Sequence, residues 1–174
     1  KAAKRILNMA HIIKNDSVNI ADLVKGRSFQ YILAIVIFIC LFGFGCVHAT
    51  KGIDLTDEGM YASTAMRYSM GDLPFRDEVM NATRPFDFLM SLVFRVWPNI
   101  SLYQLRILGN TLNIVSVFLL FLFLSMYMPP LLIALLCAIM FLINNFFGIL
   151  TPSYNSLSSD FLLVAITLWL FSMR

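Results

Sequence analysis

The sequence contains few charged residues, and this scarcity limits the kind of protein it can form. Charged side chains make up 13% of the 174 residues, whereas hydrophobic side chains make up 59%, and the mean hydropathy is +0.79. Ordinary soluble domains carry roughly a quarter charged residues. The composition therefore excludes an ordinary soluble domain and indicates a chain that folds in a membrane.

Cysteines and cofactor motifs are also scarce. The three cysteines, Cys40, Cys46 and Cys137, lie in or beside apolar runs, in a pattern that fits neither a disulfide framework nor a metal site. We interpret them as packing residues. The sequence has no internal repeat, no glycine-rich phosphate loop and no His/Cys metal spacing. We therefore expect no nucleic-acid partner, and the sequence indicates no cofactor other than the divalent metal considered below.

The few charges are sorted along the chain. Residues 1–28 are mainly basic, residues 48–106 carry both signs, and only Asp160 and Arg174 follow. Because basic segments tend to stay on the cytoplasmic side of a membrane, the N-terminus is predicted to be cytoplasmic. Residues 1–28 are predicted to form a cytoplasmic basic segment, either a short amphipathic helix on the membrane face or a solvated tail.

Long apolar runs predict the membrane-spanning part of the chain. About 20 apolar residues in a helix cross the roughly 30 Å of hydrocarbon in a bilayer. Four runs approach this length, at residues 29–47, 107–127, 131–150 and 157–173. The predicted fold class is all-α: residues 29–174 form a polytopic transmembrane helix bundle with about four spans.

The segment between the first two spans, residues 48–106, is predicted to be a long outer loop. Its apolar stretch at 85–97 contains Asp87 and Arg95 and is followed by Pro98. A helix of that length is too short to cross a bilayer, so we predict that it lies at the interface. A second interfacial helix is predicted at 56–70, where acidic residues suit the first turn.

Carboxylates and arginines alternate in this loop. Asp57 and Glu58, at a predicted helix start, can supply a general base or hold a divalent metal. Arg67, Arg76 and Arg84 present forked donors that suit a phosphate group. The same residues also fit a structural interpretation, in which the acidic pair caps a helix and the arginines bind lipid headgroups.

The order of these residues resembles the N-terminal part of the GT-C superfamily of membrane glycosyltransferases. The resemblance is closest to the protein-mannosyltransferase and aminoarabinose-transferase type. It covers roughly residues 29–173. The elements that carry it, in order, are Asp57-Glu58-Gly59-x-Tyr61, Arg67, Gly71, Pro74-Phe75-Arg76-Asp77, Arg84-Pro85 and Arg106.

The resemblance implies an inverting transfer of a sugar from a polyprenyl-phosphate donor to a glycan, lipid or protein acceptor outside the cytoplasm. It implies that Asp57, with Glu58 beside it, acts as the base or holds a divalent metal. Arg67, Arg76 and Arg84 would bind the donor phosphate.

The resemblance also implies a second acidic residue at the start of the fourth span. Asp160 is the candidate, and Asn155 is its rival. An acidic residue within the membrane is costly enough to indicate function.

Enzymes of this type usually have more spans than the four predicted here. We therefore expect the chain to be the N-terminal part of a longer enzyme, inactive alone, in a bacterial plasma membrane with its loop on the outer side. The alternative is a non-catalytic membrane subunit of a larger complex.

Overall fold

The computed structural model describes residues 26–51, 57–73, 76–77, 84–147 and 150–173. These residues form helices and connecting turns, with no strand among them, so the all-α prediction is confirmed. Most of the predicted cytoplasmic segment, residues 1–25, lies outside the described residues. The helices are α1 Arg27–His48, α2 Asp57–Met70, α3 Arg84–Val96, α4 Leu102–Leu124, α5 Pro130–Phe147 and α6 Tyr154–Ser172.

Three helices, α1, α4 and α6, are long and apolar enough to cross a membrane. The fourth predicted span corresponds to α5, which has 18 residues. A helix of that length rises about 27 Å, slightly less than the roughly 30 Å of hydrocarbon. The structure is therefore consistent with a helical membrane bundle, and the count of four spans remains a prediction.

Two helices begin earlier than their apolar runs predict. Helix α4 starts at Leu102 rather than at residue 107, because Ser101 and Gln104 form a reciprocal capping box. Helix α6 starts at Tyr154 rather than at residue 157, through a similar box formed by Ser153 and Ser156. The connection between α1 and α4 is therefore shorter than the predicted loop 48–106.

The apolar centre of the bundle lies between α1, α4 and α5. Phe38 of α1 contacts two aromatic rings of α4, at centroid distances of 5.0 Å to Phe118 and 5.3 Å to Phe121. Ile133 and Phe141 of α5 are buried in the same cluster. Helix α6 also packs against α4.

The short helices α2 and α3 pack against each other, and α3 also contacts α6. A second apolar cluster holds them against the beginnings of α4 and α6. We call this end of the molecule the α2–α3 end. The buried residues of the cluster are Ala65, Met90, Phe94, Ile100, Leu105 and Leu157.

At the opposite end of the bundle, Arg27 joins α1 to α4. Its guanidinium donates to the backbone oxygens of Ser125 and Met126, at 2.9 and 3.2 Å. These carbonyls lie just beyond the last turn of α4, where a helix leaves acceptors without intrahelical donors. The hydroxyl of Tyr31, one turn along α1, also approaches Ser125, at 3.3 Å from its Oγ.

Helices α1 and α4 come closest where Gly45 faces Asn110. A Cβ atom on Gly45 would lie 2.0 Å from Asn110 Oδ1 and 2.5 Å from Asn110 Cγ. The Asn110 amide also donates to the Phe42 carbonyl oxygen, at 3.4 Å. Close packing of small residues, rather than the hydrophobic effect, holds helices together within a bilayer.

Replacing Gly45 by Ala is therefore expected to destabilise the protein by about 1–3 kcal/mol, because Asn110 or the helices must move. A lower midpoint of thermal unfolding in detergent would measure the loss. Gly43→Ala is the matched control, since a Cβ at Gly43 meets nothing within 4 Å. Equal midpoints for the two variants would contradict this account of the contact.

Candidate functional site

Glu58 lies in the first turn of α2 and is almost fully buried, with 2% of its surface exposed. Its Oε2 accepts from Nε of Arg106 at 3.1 Å and also from Nη2 of the same residue. Its Oε1 accepts from the backbone N–H of Thr151 at 3.2 Å. Both carboxylate oxygens therefore have donors, and Glu58 links α2 to α4 and to the segment before α6.

Arg106 is buried to a similar degree, with 4% exposed. In addition to Glu58, it contacts the end of α1, where Nη1 donates to the carbonyl oxygens of Ala49 at 3.0 Å and Lys51 at 3.3 Å. A guanidinium has five N–H donors, and these contacts use most of them. Arg106 therefore holds α4, α2 and the end of α1 together at the α2–α3 end, and Glu58 adds the segment before α6.

Arg106 is not among the candidate site residues predicted from the sequence, where it only marks the start of the second span. The structure places it in the second turn of α4, facing inward. A signal for this role was present, because an arginine inside an apolar helix needs an acidic partner when it is buried. The sequence did not indicate which carboxylate that partner is.

Asp57 is the first residue of α2 and directly precedes Glu58. Its backbone therefore adjoins the buried ion pair, while its side chain lies outside what the structure describes. The same is true of Arg84, the first residue of α3. The predicted roles of both residues remain predictions.

Arg67 and Arg76 lie on the surface, where each pairs with a carboxylate. Nε of Arg67 is 2.7 Å from Asp72, and Nη2 of Arg76 is 2.9 Å from Asp77. The hydrogen bond from Arg76, aided by the backbone N–H of Leu73, lowers the pKa of Asp77 below its ordinary value. Asp77 therefore stays ionised at neutral pH, and a phosphate at Arg76 would compete with it.

These four side chains form one cluster. The charge of Arg67 also lowers the pKa of Asp77, and the charge of Asp72 raises the pKa of Arg76. Two arginines are therefore balanced by two carboxylates. Together the four side chains carry no net charge. An incoming anion would have to displace Asp72 or Asp77 in order to bind Arg67 or Arg76.

A small cavity of about 360 Å³ lies beside Arg106 at the α2–α3 end. Its lining residues are Ala49, Thr50, Leu102, Tyr103 and Arg106. Tyr103 also borders a larger apolar groove of about 770 Å³ between α1, α3 and α4. Tyr103 therefore lies between the groove and the small cavity beside Arg106. Residues from all three helices line the groove, including Phe42, Cys46, Leu92, Val96, Ile107 and Thr111.

Asp160 lies in the second turn of α6 and has 5% of its surface exposed. Its Oδ1 accepts a hydrogen bond of 3.1 Å from the side-chain amide of Asn113. Asn113 follows Arg106 by two turns of α4, which is about 10 Å along the helix. The structure thus places Asp160 on the same side of α4 as Glu58, but deeper in the bundle. Its rival, Asn155, is exposed in the first turn of α6.

The described residues contain no group of three or more His, Cys, Asp or Glu side chains that could hold a metal ion. The oxygens of Glu58 already accept from Arg106 and Thr151, so Glu58 fits a positioning role better than that of a metal ligand. A metal at the predicted site would depend on Asp57, whose side chain is outside the description. Comparison of the chain with protein-family models, curated proteins and solved structures gave no match.

Proposed function

We propose that the chain is the N-terminal part of an integral membrane glycosyltransferase. In this proposal, it moves a sugar from a polyprenyl-phosphate donor to an acceptor on the non-cytoplasmic side of the membrane. The observation that carries the proposal is the buried pair of Glu58 and Arg106. The pair fixes the start of α2, and with it the backbone of Asp57, while Arg106 also lines a small cavity that shares Tyr103 with an apolar groove.

The groove and the cavity suit the two halves of a lipid-linked donor. The walls between α1, α3 and α4 are largely apolar and can cover a prenyl chain. The cavity is bordered by Thr50 and Tyr103, whose side chains carry hydroxyl groups that suit the polar end of such a lipid. Arg67 and Arg76 lie on the protein surface, where a phosphate can take the place of Asp72 and Asp77 as their partner.

The proposed reaction is a single displacement. Asp57 accepts the proton of the acceptor hydroxyl, the hydroxyl oxygen bonds to the anomeric carbon, and the bond from that carbon to the phosphate oxygen breaks. The polyprenyl phosphate leaves with the electron pair, and the arginines stabilise its charge. Glu58 acts by positioning, because Arg106 and Thr151 occupy its oxygens.

The test is to replace Asp57 by Asn in the complete reading frame. Loss of a general base is expected to lower transfer by about 10²-fold or more, while membrane insertion and abundance stay unchanged. Transfer is measured in isolated membranes with a panel of radiolabelled polyprenyl-phosphate pentoses and hexoses. Ser63→Ala is the control on the same helix, since Ser63 is exposed and bonds only within α2.

Two results would reject the proposal: transfer that persists in Asp57→Asn, or no transfer by the unaltered protein with any donor of the panel. The resemblance also implies a second role for Asp57, as a ligand of a divalent metal. Chelation with EDTA separates the two roles, because a base needs no metal and a metal ligand does.

A further inference from the structure

A second cavity lies within the bundle beside Asp160 and Asn113, two turns of α4 away from Arg106. It has a volume of about 450 Å³ and separates α5 from α6, while α4 forms its floor through Asn113 and Val117. Each wall carries apolar residues at helical spacing. The lining residues include Met140, Ile143 and Asn144 on α5, and Ser159, Leu162, Leu163 and Ile166 on α6, so polar Asn144 and Ser159 share the walls with the apolar residues.

The polar side chains that line this cavity are Asn113, Asn144, Ser159 and Asp160. The Ser159 hydroxyl donates within α6, to the Ser156 carbonyl oxygen, and in the described residues the Asn144 amide donates neither to Asp160 nor to Asn113. Asp160 has a single hydrogen bond in the described part of the chain, from the Nδ2 of Asn113. Asn113 is itself 8% exposed, and its Oδ1 is buried without a partner there. Within a bilayer, acceptors that lack donors cost several kcal/mol each. In the described residues only Asn113 donates to Asp160 and no donor reaches Asn113 Oδ1, so the cavity has room for a further donor.

A cation is the donor that best suits a buried carboxylate with an amide oxygen beside it. Within helices α4, α5 and α6, Arg106 is the only lysine or arginine that the structure describes. Its guanidinium is already occupied by Glu58 and by the end of α1. It also lies two turns away along α4. The cation must therefore come from outside these helices.

The shape of the cavity favours a helix as the carrier of that cation. Residues 159, 162, 163 and 166 repeat at i, i+3, i+4 and i+7 and so form a stripe about 10 Å long on α6. The stripe on α5 is shorter, with residues 140, 143 and 144 at i, i+3 and i+4. Two such ridges separated by a groove are the surface into which side chains of a third helix pack.

We propose that the groove between α5 and α6 takes a membrane-spanning helix that presents a lysine or arginine side chain to Asp160 and Asn113. The basic group satisfies the carboxylate and the free amide oxygen together. The apolar ridges contact the rest of the helix. This inference does not depend on the glycosyltransferase proposal.

Photo-crosslinking in native membranes tests the inference. Benzoylphenylalanine is placed at one of two positions of the complete protein. Position 143 lines the groove between α5 and α6. Position 168 on α6 is the control, because its leucine is exposed and does not line the cavity. Mass spectrometry then identifies the crosslinked peptides. We expect position 143 to capture a membrane-spanning helix with a lysine or arginine within one turn of the crosslink, and position 168 to capture lipid.

A second experiment tests whether the crosslink depends on the charge of Asp160. Asp160→Asn is expected to lower the crosslink yield per folded molecule about tenfold, the effect of losing an intramembrane interaction of 1–2 kcal/mol. Asp160→Glu keeps the charge and is expected to retain most of the yield. Lipid adducts alone at position 143, a captured helix without a basic residue, or a yield unaffected by Asp160→Asn would each overturn the proposal. The first two of these results come from protein with the native Asp160, so they can be interpreted even if the Asp160→Asn variant fails to fold.

Discussion

Replacing Arg106 by Met is expected to lower the free energy of unfolding by about 3–5 kcal/mol, because Glu58 would remain buried without a counter-charge. The carbonyl oxygens of Ala49 and Lys51 would lose donors as well. The expected loss of stability is large because the pair is buried: neither Glu58 nor Arg106 has more than 5% of its side chain exposed. The measurement is thermal or denaturant unfolding of the purified protein in detergent.

Two comparisons separate this effect from a general loss of charge. Arg67→Met breaks a pair of similar distance on the surface, where 49% of the Arg67 side chain is exposed, and is expected to cost at most about 1 kcal/mol. The double variant with Glu58→Leu and Arg106→Met removes both buried charges, so it is expected to regain much of the stability lost in the single variant. If Arg106→Met costs no more than Arg67→Met, the pair does not hold this end of the protein together.

Replacing Gly109 by Ala is expected to cost about 3 kcal/mol, at the upper end for overpacking. A Cβ there would lie 2.3 Å from the carbonyl oxygen of Leu150 and 3.2 Å from two atoms of Pro152. A backbone oxygen cannot rotate away as a side chain can, so the segment before α6 must move. That segment contains Thr151, whose N–H bonds to Glu58.

The link through Thr151 gives this prediction a second readout. Gly109→Ala and Glu58→Gln act on the same contact, so their stability losses are expected to be non-additive in a double-mutant cycle. Gly59→Ala is the control, because a Cβ at Gly59 meets nothing within 4 Å. Additive losses, or equal midpoints for the Gly109 and Gly59 variants, would show that the segment adapts without strain.

The apolar pattern predicted the helices well and their polar ends poorly. Helix α1 and the short helix α3 lie within about two residues of the predicted ranges, as expected for element boundaries. The starts of α4 and α6 were missed because Ser101 and Ser153 cap them with residues that hydropathy assigns to loops. A search for capping boxes would have found both.

The candidate site was less predictable, because its contacts join distant parts of the chain. Glu58 and Arg106 are 48 residues apart, and no local spacing connects them. The acidic pair was predicted to provide a base or a metal ligand, whereas the structure gives Glu58 two structural donors. Asp160 was predicted on the same side of the membrane as Glu58, and the structure places it two helical turns deeper, bonded to Asn113.

The two arginines that join α1 to α4 have a consequence for how the protein fits its bilayer. Arg27 binds beyond one end of α4 at Ser125, and Arg106 binds the end of α1 from near the other. The 19 residues from Arg106 to Ser125 rise about 28 Å, close to the roughly 30 Å of hydrocarbon. The two helices are thereby pinned at both ends and cannot slide past each other. In a thicker or thinner membrane they must tilt together or deform the lipid around them.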